Sequence, residues 1–499
     1  MRRRDFVGAL LAAGVQRDGN RYVIPEGGVE IEWLSDSTFC YRRRWEGTPP
    51  RAKRVSEASI DVKSSELIDR VVFHGKYLTL DVLKNGTGLT VKKQGSAMAS
   101  LDVRRDNGRP VVEHRVKPDE RFYGLGARRA ASLDARGLVV DTTRPLLISS
   151  AGYGEYYPAP GTYRFDLSAG TRRSAVLPGR DVEYLFHYGP NPKDILEEHP
   201  SDQTVEVGSR HLLFRSQRGS GGTWETLREA VRELAHASLS GLLLHAFDLS
   251  RYEPAGGALF ARAAQLASIL PAVNGPPGAA RSWRNAWVPY LLTYVDEARD
   301  RGFPVVRAVP MQYPEDTASV AWPEEFLLGD ELLIAPVLNP GGTVNLYLPR
   351  GVWTRLATNE VYSGRQQIAI TAADDELPVF ARNGSIVPQA GTPLELHYYP
   401  RLAAEFFLYE EERREYSQFH ASPALDLLRL ESESTIERDC EWVVHHIDRP
   451  RRVWLGETQF RETSQPRAGT WSYDGTRRNL SVRLHARARG DEIVHIAFQ

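Results

Sequence analysis

Short runs of apolar and polar residues, alternating or β-branched, fill the chain from position 20 to about 190. "RYVIP", "VEIEWL", "TFCYRR", "ASIDV", "LTLDVL", "GLTVKK" and "PVVEHRV" follow one another, with turn signals between them at Asn85-Gly86 and Asp106-Asn107-Gly108. Even spacing of such runs predicts a β-sandwich. Between about 200 and 302 the period changes. Trp224, Leu227, Val231 and Leu234 share one face of a helix. "SGLLLHAFD" (240–248) is a continuous apolar run, which predicts a parallel strand covered on both faces. Helices are predicted near 256–268 and about 280–301, the second kinked at Pro289 and stopped by Gly302. "ASILPAV" is a candidate strand between them, so this stretch reads as βα alternation. From 303 the β pattern returns in "ELLIAPVL", "TVNLYLP", "QQIAIT", "LPVFA", "SIVPQ", "LELHYY", "EFFLYE", "EWVVHHI" and "LSVRLHA".

Composition narrows the class. At 499 residues the chain predicts about three or four domains. An apolar fraction of 41% with 25% charge is that of a globular protein. A net charge of −1 with no basic tail leaves no electrostatic footprint for nucleic acid. No run approaches the ~18 apolar residues of a membrane span. Two cysteines, Cys40 and Cys440, exclude a disulfide framework and a Cys-rich zinc site. His187, His211, His236 and His245 lack ligand spacing, so no metal and no cofactor are assigned. No lysine follows Lys193, which removes a phosphate-binding reading of the Gly-rich turn "RGSGGTWE". At the N-terminus, Arg3-Arg4-Asp5-Phe6 precedes an apolar run to Val15. A twin-arginine-type export signal over residues 1–19 is slightly favoured over an ordinary basic start ahead of the first strand.

Longer motifs carry a resemblance. "ERFYGLGARRAASLDARG" (120–137), "DVEYLFHYGPNPKDILEEH" (181–199), "WVPYLLTYVDEARDRGFPVVRAVPMQYPED" (287–316), "LLGDELLIAPVLNPGGTVNLYLPRGVW" (327–353), "LPVFARNGSIVPQ" (377–389) and "FFLYEEERREYSQF" stand in that order. Together they resemble glycoside hydrolase family 31, the retaining α-glucosidase and α-xylosidase family. The resemblance implies a multidomain β plus α/β fold. Its parts are an N-terminal β-sandwich (20–199), a partial (β/α) barrel lacking the first strands (200–320), a proximal C-terminal β-sandwich (321–395) and a distal β domain (396–499). A full (β/α)₈ barrel takes ~250 residues, and only positions 200–302 separate the flanking motifs.

The same alignment places the chemistry. "HLLFRS" resembles the family's fifth strand, with Arg215 on its arginine. "LLLHAFDLSRYEP" resembles the seventh, with Asp248 on its aspartate. The family's nucleophile, on strand four, has no counterpart. Its general acid falls at "GSGG" just before "TWE", and its closing histidine falls near Asn274-Gly275. Retaining glycosidases need two carboxyl groups about 5–5.5 Å apart, and both family positions are empty. Asp248 is the best-placed candidate, for sugar binding or as a structural acid. Glu225 is a weak catalytic candidate against a first-turn acid facing the helix dipole. Arg215, Asp141, Trp224, Trp283 and Trp287 are candidate sugar contacts, against ion pairs for the charged residues and core packing for the tryptophans. Three readings stand: a carbohydrate-binding or scaffolding protein without classical hydrolysis, an active α-glycosidase rebuilt around Asp248 with Glu225, Asp202 or Glu155, or a structural, partner-binding remnant. Half a barrel exposes parallel strand edges, so a homodimer or larger assembly is expected.

Overall fold

The computed structural model describes residues 15–46, 59–199, 213–215, 221–276 and 281–498, with side chains throughout except at 213–215 and 281–283. The segment assigned to export therefore lies almost wholly outside the described residues, as do Asp202 and His211. The chain falls into two compact units, one within Met1–Arg128, Asp134–Pro200 and Leu239–Gly241, the other within Arg129–Leu133, Ser201–Ser238 and Leu242–Gln499.

In the first unit the alternating runs pair into two antiparallel sheets of eight and nine strands. Strand Thr79–Leu83 shows the principle: Leu80 and Val82 turn inward and are buried, and Thr79, Asp81 and Leu83 face outward. Inner faces of both sheets meet over Trp33, Phe39, Tyr41, Phe73 and Leu80, none more than marginally exposed. One polar network is buried in this unit. Arg173 pairs with Glu155, which also accepts the Tyr184 hydroxyl at 3.2 Å and lies 3.2 Å from His114 Nδ1. Burial raises the Glu155 pKa and holds His114 well below its usual range. Glu155 is thus an interior residue of this sandwich, which corrects its candidacy as a catalytic substitute.

The second unit opens with three parallel strands: β1 (Leu213–Arg215), β2 (Leu244–Asp248) and β3 (Ala272–Asn274), side by side in that order. Helix α1 (Trp224–Ser238) connects β1 to β2, α2 (Gly257–Ser268) connects β2 to β3, and α3 (Arg281–Arg301) follows. Two predicted strands are shorter than their apolar runs. Gly241 takes a left-handed φ of +70° and turns the chain, so β2 starts only at Leu244. Most of "ASILPAV" goes to the end of α2 and its turn, leaving Ala272–Asn274 as strand. The α3 assignment runs through Pro289, whose carbonyl accepts the Thr293 hydroxyl at 3.0 Å. Gly302 ends the helix at φ +73°, as its position predicts.

The remainder of this unit is β. A six-stranded sheet runs from Val306–Arg307 to Val361–Ser363, beside the two-stranded pair Thr343–Leu348 and Gln366–Thr371. Two further six-stranded sheets hold the strands from Ser385 to Ala497. The core is continuous from α1 through α3 to these sheets, taking in Leu227, Phe247, Trp287, Tyr290, Phe406 and Trp442. Among the described residues no helix is long and apolar enough to cross a membrane.

Candidate functional site

The parallel strands bring their carboxyl ends together, which is where βα units present working side chains. Asp248 is the last residue of β2 and is half-buried. It lies in register with Asn274, the last residue of β3. Its Oδ1 accepts the Ser250 hydroxyl at 2.5 Å and the Asn274 amide Nδ2 at 3.2 Å. Both partners are neutral hydrogen-bonding groups, and among the described residues no cation or second acid is paired with the carboxylate. Neither partner was singled out from the sequence. Asp-x-Ser, a spacing that closes a local side-chain hydrogen bond, was the available signal for Ser250.

After Asp248 the chain makes a tight turn, Leu249–Arg251, and continues into Tyr252. Two glycines hold this turn from either side. A Cβ on Gly222, just before α1, would sit 2.7 Å from Tyr252 Cδ1, 2.8 Å from Tyr252 Cα and 2.9 Å from the Arg251 carbonyl oxygen. A Cβ on Gly275, after β3, would sit 2.9 Å from Leu249 Cβ and 3.0 Å from the Ser250 nitrogen. No side chain fits at either place without moving backbone. The contacts are reinforced: Arg251 Nε donates to the Gly221 carbonyl at 3.0 Å, and Tyr252 stacks on Phe247 with centroids 5.7 Å apart and planes 5° from parallel. Residues 216–220, including Gly219 and Ser220 of "GSGG", lie outside the described residues.

Helix α1 begins cleanly behind this turn. Thr226 N–H donates to Thr223 Oγ1 at 3.1 Å, and Thr223 N–H donates to Thr226 Oγ1 at 2.9 Å, a reciprocal cap. Glu225 follows on the exposed side, 60% accessible, and accepts Arg228 NH1 at 2.6 Å. The adjacent Trp224 is partly buried against the core.

The other candidates separate. Arg215 ends β1 in register with Ala246, and Trp283 sits in the first turn of α3; both side chains lie outside the described residues. Trp287 is a core residue, set edge-on to Tyr290 at 6.3 Å. Asp141, in the first unit, is exposed on strand Val139–Thr142 and paired with Arg164 at 3.0 Å. His187, His236 and His245 are buried, and burial alone pushes His245 down to about 3. Among the described residues no three His, Cys, Asp or Glu side chains converge as a metal site would need.

Residues 302–387 match the Glycosyl hydrolase family 31 C-terminal domain. The isomaltosyltransferase of Sporosarcina globispora is 29% identical over 200 residues, covering 33% of this chain and 18% of the relative. Alpha-glucosidase 2 of Bacillus thermoamyloliquefaciens is 38% identical over 105 residues, 21% of this chain and 13% of the relative. The chain thus matches less than a fifth of the length of these curated relatives. A Flavobacterium johnsoniae GH31 dextranase complexed with glucose superposes with a TM-score of 0.84 at 15% identity, covering 97% of this chain and 99% of that one. A mutant of the same dextranase, complexed with isomaltotriose, gives 0.80. At that identity the likeness is one of fold.

Proposed function

The chain belongs to glycoside hydrolase family 31, and from that premise we propose that it binds α-glucan oligosaccharides at the carboxyl ends of β1–β3 without performing classical retaining hydrolysis. In this reading the three strands are a partial (β/α) barrel lacking the first strands of the family fold. Asp248, held by Ser250 and Asn274, accepts sugar hydroxyls. The observation that carries the proposal is the glycine-bounded turn. The family alignment sets its acid within Gly219–Gly222 and its histidine near Asn274-Gly275; of these, Gly222 and Gly275 lie against Tyr252 and Leu249 at distances no side chain tolerates, while a Cβ on Gly221, at φ +80°, would meet nothing within 4 Å. A retaining mechanism needs an acid and a nucleophile about 5–5.5 Å apart, and Asp248 is oriented by two neutral groups instead.

Glu225, exposed and paired with Arg228, behaves as a helix-surface acid, and Glu155 is held inside the other unit's core. Both arrangements weigh against a rebuilt catalytic pair. The test is twofold. The purified chain is assayed for 4-nitrophenol release from 4-nitrophenyl α-glucoside, and its thermal stability is followed against isomaltotriose. The expected outcome is no release, together with a saturable rise in Tm that Asp248→Ala reduces. Release by the pure chain overturns the non-hydrolytic reading, and a ligand response unchanged in Asp248→Ala overturns the binding role.

Strands β1 and β3 are the edges of the three-stranded sheet. Unpaired edge groups favour association, so the same reading expects a homodimer or larger assembly. A monomer by light scattering at micromolar concentration contradicts it.

A further inference from the structure

A cleft of about 370 Å³ opens in the second unit between α1, the segment Ala321–Glu325 and the strand Thr343–Leu348. It contains none of the residues of the Asp248 turn. Its volume is within the ~300–1,000 Å³ usual for small-molecule sites. Arg228 and Arg232, one turn apart on α1, both reach Glu324, at 3.4 Å from Arg228 Nε and 3.0 Å from Arg232 Nε. Trp322 lines the cleft half-buried and is stacked on Tyr347, with centroids 6.3 Å apart and planes 19° from parallel. Asn345 lines it from the strand and is exposed.

Glu325 is the telling residue. It lines the cleft yet is only 2% exposed. Its Oε2 accepts the Tyr347 N–H at 2.9 Å, while its Oε1 has no hydrogen-bond partner among the described residues. Leaving a buried carboxyl oxygen bare costs about 1–3 kcal/mol in general. Burial also lifts the Glu325 pKa well above the ordinary carboxylate range.

The charges lining the cleft decide the ligand class. An anion entering it meets Glu324, and a cation meets Arg228 and Arg232. Neutral hydroxyl groups, which donate and accept, satisfy the whole set, and an aromatic ring beside them suits the apolar face of a pyranose. We infer that this cleft is a second carbohydrate site, taking a neutral pyranose unit of an oligosaccharide against Trp322, with hydroxyls bonded to Arg232 and Asn345. It is separate from the Asp248 site and does not depend on that site binding anything.

Isothermal titration of isomaltotriose into full-length Asp248→Ala isolates the cleft. A saturable heat is expected there. Adding Trp322→Ala to that background is expected to weaken it about tenfold or more, as loss of an aromatic anchor does. Adding Asn345→Ala, a change at an exposed position, is expected to weaken it several-fold and serves as the test should the tryptophan variant fail to fold. No saturable heat in Asp248→Ala overturns the inference, as does an affinity within twofold of that background after Asn345→Ala. Failure of the Asp248 reading is seen separately, as total binding in Asp248→Ala equal to that of the unaltered chain.

Discussion

The second unit contains two kinds of β structure, and they are held together differently. The sheets after residue 302 are mostly antiparallel and stack side chains into an extensive core, with Trp353, Phe380 and Trp442 fully buried. The parallel block before them has strands of three to five residues, and its strand ends are set by close backbone contact at Gly222 and Gly275. The match to the family's C-terminal domain falls on the first kind, at 302–387. Family likeness in sequence is therefore strongest where apolar packing constrains the chain, and it says least about the strand ends, where a glycosidase would keep its chemistry.

Substitutions can break or sharpen this contrast. Trp353→Ala, in the densely packed sheets, is expected to cost about 3–5 kcal/mol in urea denaturation, the usual price of emptying an aromatic core position. A loss under 1 kcal/mol would mean that the contrast in packing is false. Gly222→Ala in the parallel block is expected to cost about 1–3 kcal/mol, because the new methyl meets the backbone of Arg251 and Tyr252 rather than a yielding side chain. Gly222→Asp is expected to cost at least as much and to release no 4-nitrophenol from the α-glucoside. A stable, active Gly222→Asp would show that the turn adapts.

Glu325→Gln gives a smaller effect whose sign depends on pH. Burial raises the folded-state pKa of Glu325, so above the unfolded value near 4.5 the native chain retains a proton that the unfolded chain releases. Stability from this group falls as pH rises from about 4.5 towards the folded pKa. The glutamine variant, which cannot titrate, is expected to gain on the parent chain as pH rises from 4 to 7, and parallel curves over that range would refute the assignment. Smallest of all, Glu225→Ala removes only an exposed ion pair and is expected to change stability by less than about 0.5 kcal/mol. A loss of ligand response in that variant would instead draw Glu225 into the site.

Much of the fold was legible because alternation and helical periodicity are local. The run at 79–83, the face shared by Leu227, Val231 and Leu234, and the stop at Gly302 all appear as the sequence predicts. The extent of β2 and β3 was not, since an apolar run does not say where a left-handed glycine turns the chain or where a helix and its closing turn take up "ASIL". The site was legible only in part. Asp248 could be placed by position, whereas Asn274 became a partner only through strand register. Gly222 looked like an empty place in the motif; its reason is a ring thirty positions further on, which no local pattern reports. Glu325 read as one acid among several in "PEEF", and its burial follows from strands that close over it from distant sequence.

The contact at Gly222 works as a ratchet. Phe247 and Tyr252 lie face to face because position 222 has no side chain, and a side chain at 222 requires that pair to come apart. A side chain at 222 and the present stacking are alternative states of one small volume, whereas a Cβ on the neighbouring Gly221 would meet nothing within 4 Å.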